Sequence, residues 1–92
     1  MSNVRGKSLK TIARDVSDGY TTVNPLFLKP FEPDTLKELY YIFLKTHAEI
    51  RGEKFPHSDV NAIRWRNLRL QRLHVATIIL KAFARDKRID LI

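Results

Sequence analysis

With 92 residues, 43% of them hydrophobic, the chain has the length of one small domain and is too apolar for wholesale disorder. Seventeen Lys and Arg against ten Asp and Glu give a net charge of +7 and a pI near 10.1. That charge favours anionic partners (nucleic acid, an acidic protein or an anionic membrane surface) without choosing among them. Cysteine is absent, which excludes a disulfide framework and thiolate chemistry, and no apolar run approaches the roughly 20 residues of a membrane-spanning helix.

Residues 1–7 hold Arg5, Gly6 and Lys7 with little apolar content. They read as a mobile basic tail without a signal core, on a soluble, cytoplasmic protein. From Ser8 the pattern changes: Leu9, Ile12, Ala13 and Val16 recur at i, i+3, i+4 and i+7, predicting a short helix over 8–18 capped by Ser8 and closed by Gly19. Tyr20 to Val23 is β-branched in part and reads as extended. Pro25, Pro30 and Pro33 then exclude a regular helix, because each removes a backbone donor and restricts the residue before it. Leu26, Phe27, Leu28 and Phe31 are too apolar for a solvated linker, so residues 20–31 are expected to form an extended strap across the helices, burying alternate side chains.

A second helix is predicted over 33–51. Thr35 and Glu38 offer a capping box, Leu36, Leu39, Tyr40, Phe43, His47 and Ile50 share a face, and Gly52 ends it. A short loop leads to Ser58 and Asp59, which suit the start of a third helix. From Ser58 to Arg88 there is no Gly or Pro, so this stretch reads as one long helix over 58–88. Two long helices with a short connection make an antiparallel hairpin. The expected fold class is all-α, one domain over 1–92: the hairpin, a short N-terminal helix and the Pro-containing strap.

On a helical wheel, Asn67, Gln71, His74, Lys81 and Arg85 form a polar stripe of the long helix, broken by Ile78. The apolar residues fall on two further sides. One holds Trp65, Leu68, Val75, Ile79 and Phe83; the other holds Ile63, Leu70, Leu73, Leu80 and Ala84. Such a helix needs two packing partners. The second helix covers one side, and either the strap with the first helix or a second copy of the chain covers the other. The thin core of so short a hairpin favours a homodimer in a four-helix arrangement, with Ile63, Leu73, Leu80 and Ala84 as the self-association candidates.

Residues 57–92 hold eight basic and three acidic side chains, whereas 32–56 hold four and five. Arg64, Arg69, Arg72, Lys81, Arg85, Lys87 and Arg88 are therefore candidate contacts to an anion or a phosphate backbone. The competing account has the arginine stems lying over apolar edges and the guanidiniums pairing with Glu38, Glu49 or Glu53 across the hairpin.

Ile12-Ala13-Arg14, Gly19, Thr22-Val23 and Leu26 resemble the helix-turn-helix of lac-repressor-type regulators over a short stretch. The glycine is late, however, and Pro25 falls inside what would be the recognition helix. Leu39-Tyr40 with Leu44-Lys45 is similar to the mitochondrial LYR-motif adaptors, with Tyr41 in the place of their defining Arg. His47, His57 and His74 lack metal-ligand spacing, and Gly6, Gly19 and Gly52 are too scattered for a phosphate loop. No catalytic constellation stands out and no cofactor is implied. The sequence thus reads as a non-enzymatic helical adaptor or regulator acting through a protein partner or a second copy. The alternative is a nucleic-acid-binding accessory protein that uses the long helix.

Overall fold

A computed structural model of the chain describes Asn3–Val4 and residues 7–91, with side chains from Ser8 onward. Two two-residue strands, β1 (Asn3–Val4) and β2 (Lys7–Ser8), are followed by four helices: α1 (Leu9–Asp18), α2 (Pro25–Leu28), α3 (Pro33–Arg51) and α4 (Val60–Asp86). The fold is all-helical apart from the small β1–β2 ladder, in which Asn3 faces Ser8 and Val4 faces Lys7. The expected mobile tail over 1–7 is thus partly paired backbone, and Met1, Ser2, Arg5 and Gly6 lie outside the described residues.

The ends of α1 follow the sequence signals. Ser8 Oγ accepts the Thr11 amide at 3.1 Å. Gly19, at φ +88, takes the left-handed position of a Schellman ending: its amide donates to the Val16 carbonyl at 3.2 Å, and the Tyr20 amide donates to Asp15 at 2.8 Å. Helix α3 starts and stops where expected, but its capping box does not form. Glu32 precedes the first turn without a side-chain cap, and Thr35 lies inside the helix, because Pro33 already suits N1 by its fixed φ and missing donor. Asp59 alone caps α4, its Oδ1 accepting the Ala62 amide at 3.0 Å.

The strap is not extended throughout. Asn24 Oδ1 accepts the Phe27 amide at 2.8 Å, and Pro25 occupies the first position of α2. Three prolines exclude a long helix, but an Asn-Pro pair with Pro30 five residues on is well suited to a single capped turn. Leu28 is buried by that turn, while Leu26 points away and stays 78% exposed.

Helices α3 and α4 form the antiparallel hairpin: Arg66 and Arg69 near the start of α4 meet Arg51 and Glu53 at the end of α3. Helix α1 packs against both and α2 against α4, giving an elongated body of 45 × 25 × 21 Å. The core takes Leu9, Ile12, Ala13 and Val16 from α1, Leu36, Leu39, Phe43 and Ile50 from α3, and Leu73, Ala76 and Leu80 from α4. All the fully buried residues of α4 lie from Leu73 onward. The N-terminal half of α4 therefore contributes no fully buried residue and meets the end of α3, the connecting loop and, through Arg72, the C-terminus of α1.

Candidate interaction surface

The residues assigned to self-association do not form a surface. Leu73 and Leu80 are wholly buried, Ala84 nearly so, and Ile63 is half-buried, because that side of α4 is packed within the chain. The opposite apolar side is the one left open. Trp65, Leu68 and Val75 are 43%, 39% and 45% exposed, and Ile78 beside them 52%. Ile79 and Phe83 are partly buried against the core. A helical wheel identifies two apolar sides but does not say which of them the short α1 will occupy.

Three arginines of the first half of α4, Arg66, Arg69 and Arg72, work as clamps. The Arg72 guanidinium donates to the Ser17 carbonyl at 3.1 Å and lies 5.5 Å from the centroid of Trp65. It thereby satisfies a carbonyl that the C-terminus of α1 leaves unpaired, where a cation also meets the negative end of the helix dipole. Gly19 makes room for it: a Cβ there would stand 2.9 Å from Arg72 Cζ. Arg66 does the same for α3, donating to the Arg51 carbonyl at a long 3.4 Å with its guanidinium 5.3 Å from the Phe55 ring centroid. Arg69 pairs with Glu53 at 3.1 Å and lies 6.0 Å from Trp65. These contacts realise the pairing account for Glu53, whereas Arg66 and Arg72 bind carbonyls and aromatic faces instead of carboxylates.

The seven candidate anion contacts thus separate. Arg69 and Arg72 are engaged as above. Arg64 is exposed near the hairpin tip, about 32 Å along α4 from Arg85 at about 1.5 Å per residue. Lys81, Arg85 and Arg88 come together around a groove of about 620 Å³ that also includes Tyr40, Ile78 and Ile89. Lys87 turns to another side, 5.8 Å from the Phe83 ring centroid. Arg88 holds a left-handed φ of 57, and the Ile89 amide returns to the Ala84 carbonyl at 2.8 Å. This turn folds the last described residues back along α4.

Two more depressions flank the open side of α4. One, of about 380 Å³, lies between Leu68, Val75 and Ile79 on α4 and residues 21–23 on the connecting segment. The other, of about 670 Å³, lies between Ile79, Ala82 and Phe83 and the turn from Asn24 to Lys29. They share Ile79 and follow one another along the same flank of α4, a trough in two parts with its facing wall drawn from residues 19–29. The part played by Thr21, Thr22 and Lys29 is not legible in the sequence, since nothing in their spacing tells which flank of α4 the segment will run along.

His47 is the titratable group with a distinct environment. Its pKa is lowered by burial first, then by the charge of Arg51 one turn on in α3, and then by His74 across the hairpin. Among the described residues no group of three or more His, Cys, Asp or Glu is placed to hold a metal ion, and no helix is long and apolar enough to cross a membrane. No family model matches the chain, and no curated protein or solved structure matches it either. Its functional reading therefore rests on this surface.

Proposed function

We propose that the protein is a non-enzymatic helical adaptor that docks a protein partner on the open side of α4. The observation that carries this reading is the strip formed by Trp65, Leu68, Val75 and Ile78, left uncovered while Arg69 and Arg72 beside it are tied to the protein's own groups. Single exposed apolar residues are ordinary, but a contiguous set along one helix marks an interaction site. Covering what these four expose removes on the order of 300 Å² from water, about 7 kcal/mol gross at 25 cal/mol per Å². The entropy cost of association consumes much of that, so a dissociation constant in the micromolar range is expected.

The test is site-specific photo-crosslinking in the source cells, with the reactive residue placed at Leu68 or Val75 and, as a control, at Glu49 on α3. A discrete protein adduct from the α4 positions alone is the expected result. Adducts of equal yield from all three positions, or none, would remove the reading.

A second reading draws on the convergence of Lys81, Arg85 and Arg88. If these three contact a phosphate backbone, log K should fall with log salt at a slope of about −2.7, from about 0.9 per neutralised phosphate. A titration of mixed-sequence duplex against salt decides it, and absence of binding at ten micromolar protein and low salt rejects it.

A further inference from the structure

We infer that the occupant of the trough between α4 and residues 19–29 is an acidic amphipathic helix of another protein. This rests on the docking reading above and names the partner's chemistry. From Leu68 to Lys87 the trough runs along α4 for about 28 Å at about 1.5 Å per residue, enough to seat about five helical turns. Its floor on α4 is mostly apolar, with Leu68, Val75, Ile79 and Ala82, and Gln71 and Arg72 set between the first two. That matches a helix-in-groove partner with anchors at i, i+3 or i+4, and i+7.

Charge selects the kind of helix. Cations stand at both ends of the trough, Arg72 at one and Lys29 with Lys87 at the other, against the single carboxylate of Asp86. The Arg72 guanidinium is bound by a carbonyl and a ring face, so its positive charge is not neutralised. Between Asp59 and Asp86 the sequence of α4 contains no acidic residue. A helix with glutamates or aspartates flanking an apolar stripe complements both features.

Two other occupants fit less well. The middle of the trough is apolar, whereas a phosphate backbone needs cations along its whole track. A second copy would bring the same +7 charge, and the exposed face of its α3 alternates Lys37 and Lys45 with Glu38 and Glu49, offering no net negative helix.

The experiment is yeast-surface selection of helix-forming 20-residue peptides against the full-length protein. Flanking positions are randomised among Glu, Lys, Gln and Ser, and stripe positions among Leu, Ile, Ala and Ser. Enrichment of Leu or Ile stripes with Glu flanks is expected. Synthesised winners should bind more than about tenfold more weakly to Val75→Glu, about tenfold more weakly to the Lys29→Glu/Lys87→Glu double variant, and unchanged to Tyr41→Glu on the far face of α3. Val75 and Tyr41 are both well exposed, so these variants are expected to fold, and circular dichroism confirms it before binding is measured.

Leu stripes without a charge preference, sensitive to Val75→Glu, would overturn the acidic partner while leaving protein docking intact. Lys-flanked winners would overturn it equally. No enrichment, with duplex binding or a 21.6 kDa species in sedimentation (twice the 10.8 kDa chain), would overturn it in favour of nucleic acid or a second copy. Duplex binding combined with an empty crosslinking result would remove the docking reading as well.

Discussion

Replacing Arg72 by Met keeps most of the hydrophobic stem and deletes the charged head, so it isolates the clamp between α4 and α1. The head supplies a 3.1 Å hydrogen bond to the Ser17 carbonyl, a cation at the C-terminal end of α1, and a position 5.5 Å from the centroid of Trp65. A charged hydrogen bond contributes about 1.5–3 kcal/mol, a charge at a helix end about 0.3–1 and an exposed cation–π contact about 0.5–1. These share one guanidinium, so they do not add. Arg72 is also only half-buried, which places the net loss near the low end, about 1.5–2 kcal/mol. For a chain of 92 residues that lowers Tm by roughly 6–16 °C.

Urea and thermal unfolding followed by circular dichroism measure it, with the emission of Trp65, the single tryptophan, as a second probe of the same clamp. Arg64→Met, exposed about two turns earlier in the same helix, is the control and should stay within about 0.5 kcal/mol of the parent. If Arg72→Met costs no more than Arg64→Met and leaves the tryptophan emission unmoved, the clamp is not a stabilising contact and the account of the arginines fails.

Gly19→Ala should cost about 2 kcal/mol, about 1–2 from the left-handed backbone with an addition from the Cβ that would stand 2.9 Å from Arg72 Cζ. In the Arg72→Met background the second part should vanish, and equal costs in the two backgrounds would show that the two groups do not meet. The pKa of His47 is lowered in the folded state by burial, Arg51 and His74, so the unfolded chain takes up the proton first as the pH falls. Stability should therefore be constant above the ordinary histidine value of 6.5 and decline as the pH drops below it. Urea midpoints at pH 7.5 and 5.5 measure the decline, and His47→Gln should flatten it; a midpoint that rises on acidification contradicts the sign.

The helices were legible because they are punctuated by residues whose chemistry admits little choice. Ser8 and Gly19 bound α1, Pro33 and Gly52 bound α3, and the uninterrupted run to Arg88 made α4 one element. Residues 20–31 depart from an extended strap because proline does not break a helix at every position: Pro25 behind Asn24 is a helix-starting pair. The open side of α4 is not legible in the sequence for a different reason. Leu73 and Val75 are both apolar and both suited to a core, and only the way α1 and α3 pack on α4 decides that one is buried and the other exposed. Likewise the roles of Arg66 and Arg72 depend on which helix end lies opposite, a long-range fact that leaves no local signature.

The distribution of arginine along α4 follows from where the core ends. From Leu73 onward the helix is held by buried Leu73, Ala76, Leu80 and Ala84, whereas from Val60 to Arg72 it has no fully buried residue, and that half carries Arg64, Arg66, Arg69 and Arg72. Three of these four are clamps to α3, its loop or α1, so polar contacts do in this half what apolar burial does in the other. Such contacts are individually weak: the Arg69–Glu53 pair, with Glu53 half exposed, is of the class measured at about 0.2–1 kcal/mol and is screened by salt. Native-state hydrogen exchange should therefore show amides of residues 64–71 opening at lower free energy than those of 76–84. Raising the salt to about 0.5 M should widen the difference. A peptide seated in the trough over Leu68 and Val75 should narrow it by protecting the weaker half. Uniform protection along α4, unaffected by salt, would mean that the arginine half is as firmly held as the core half and that the clamps are not what holds it.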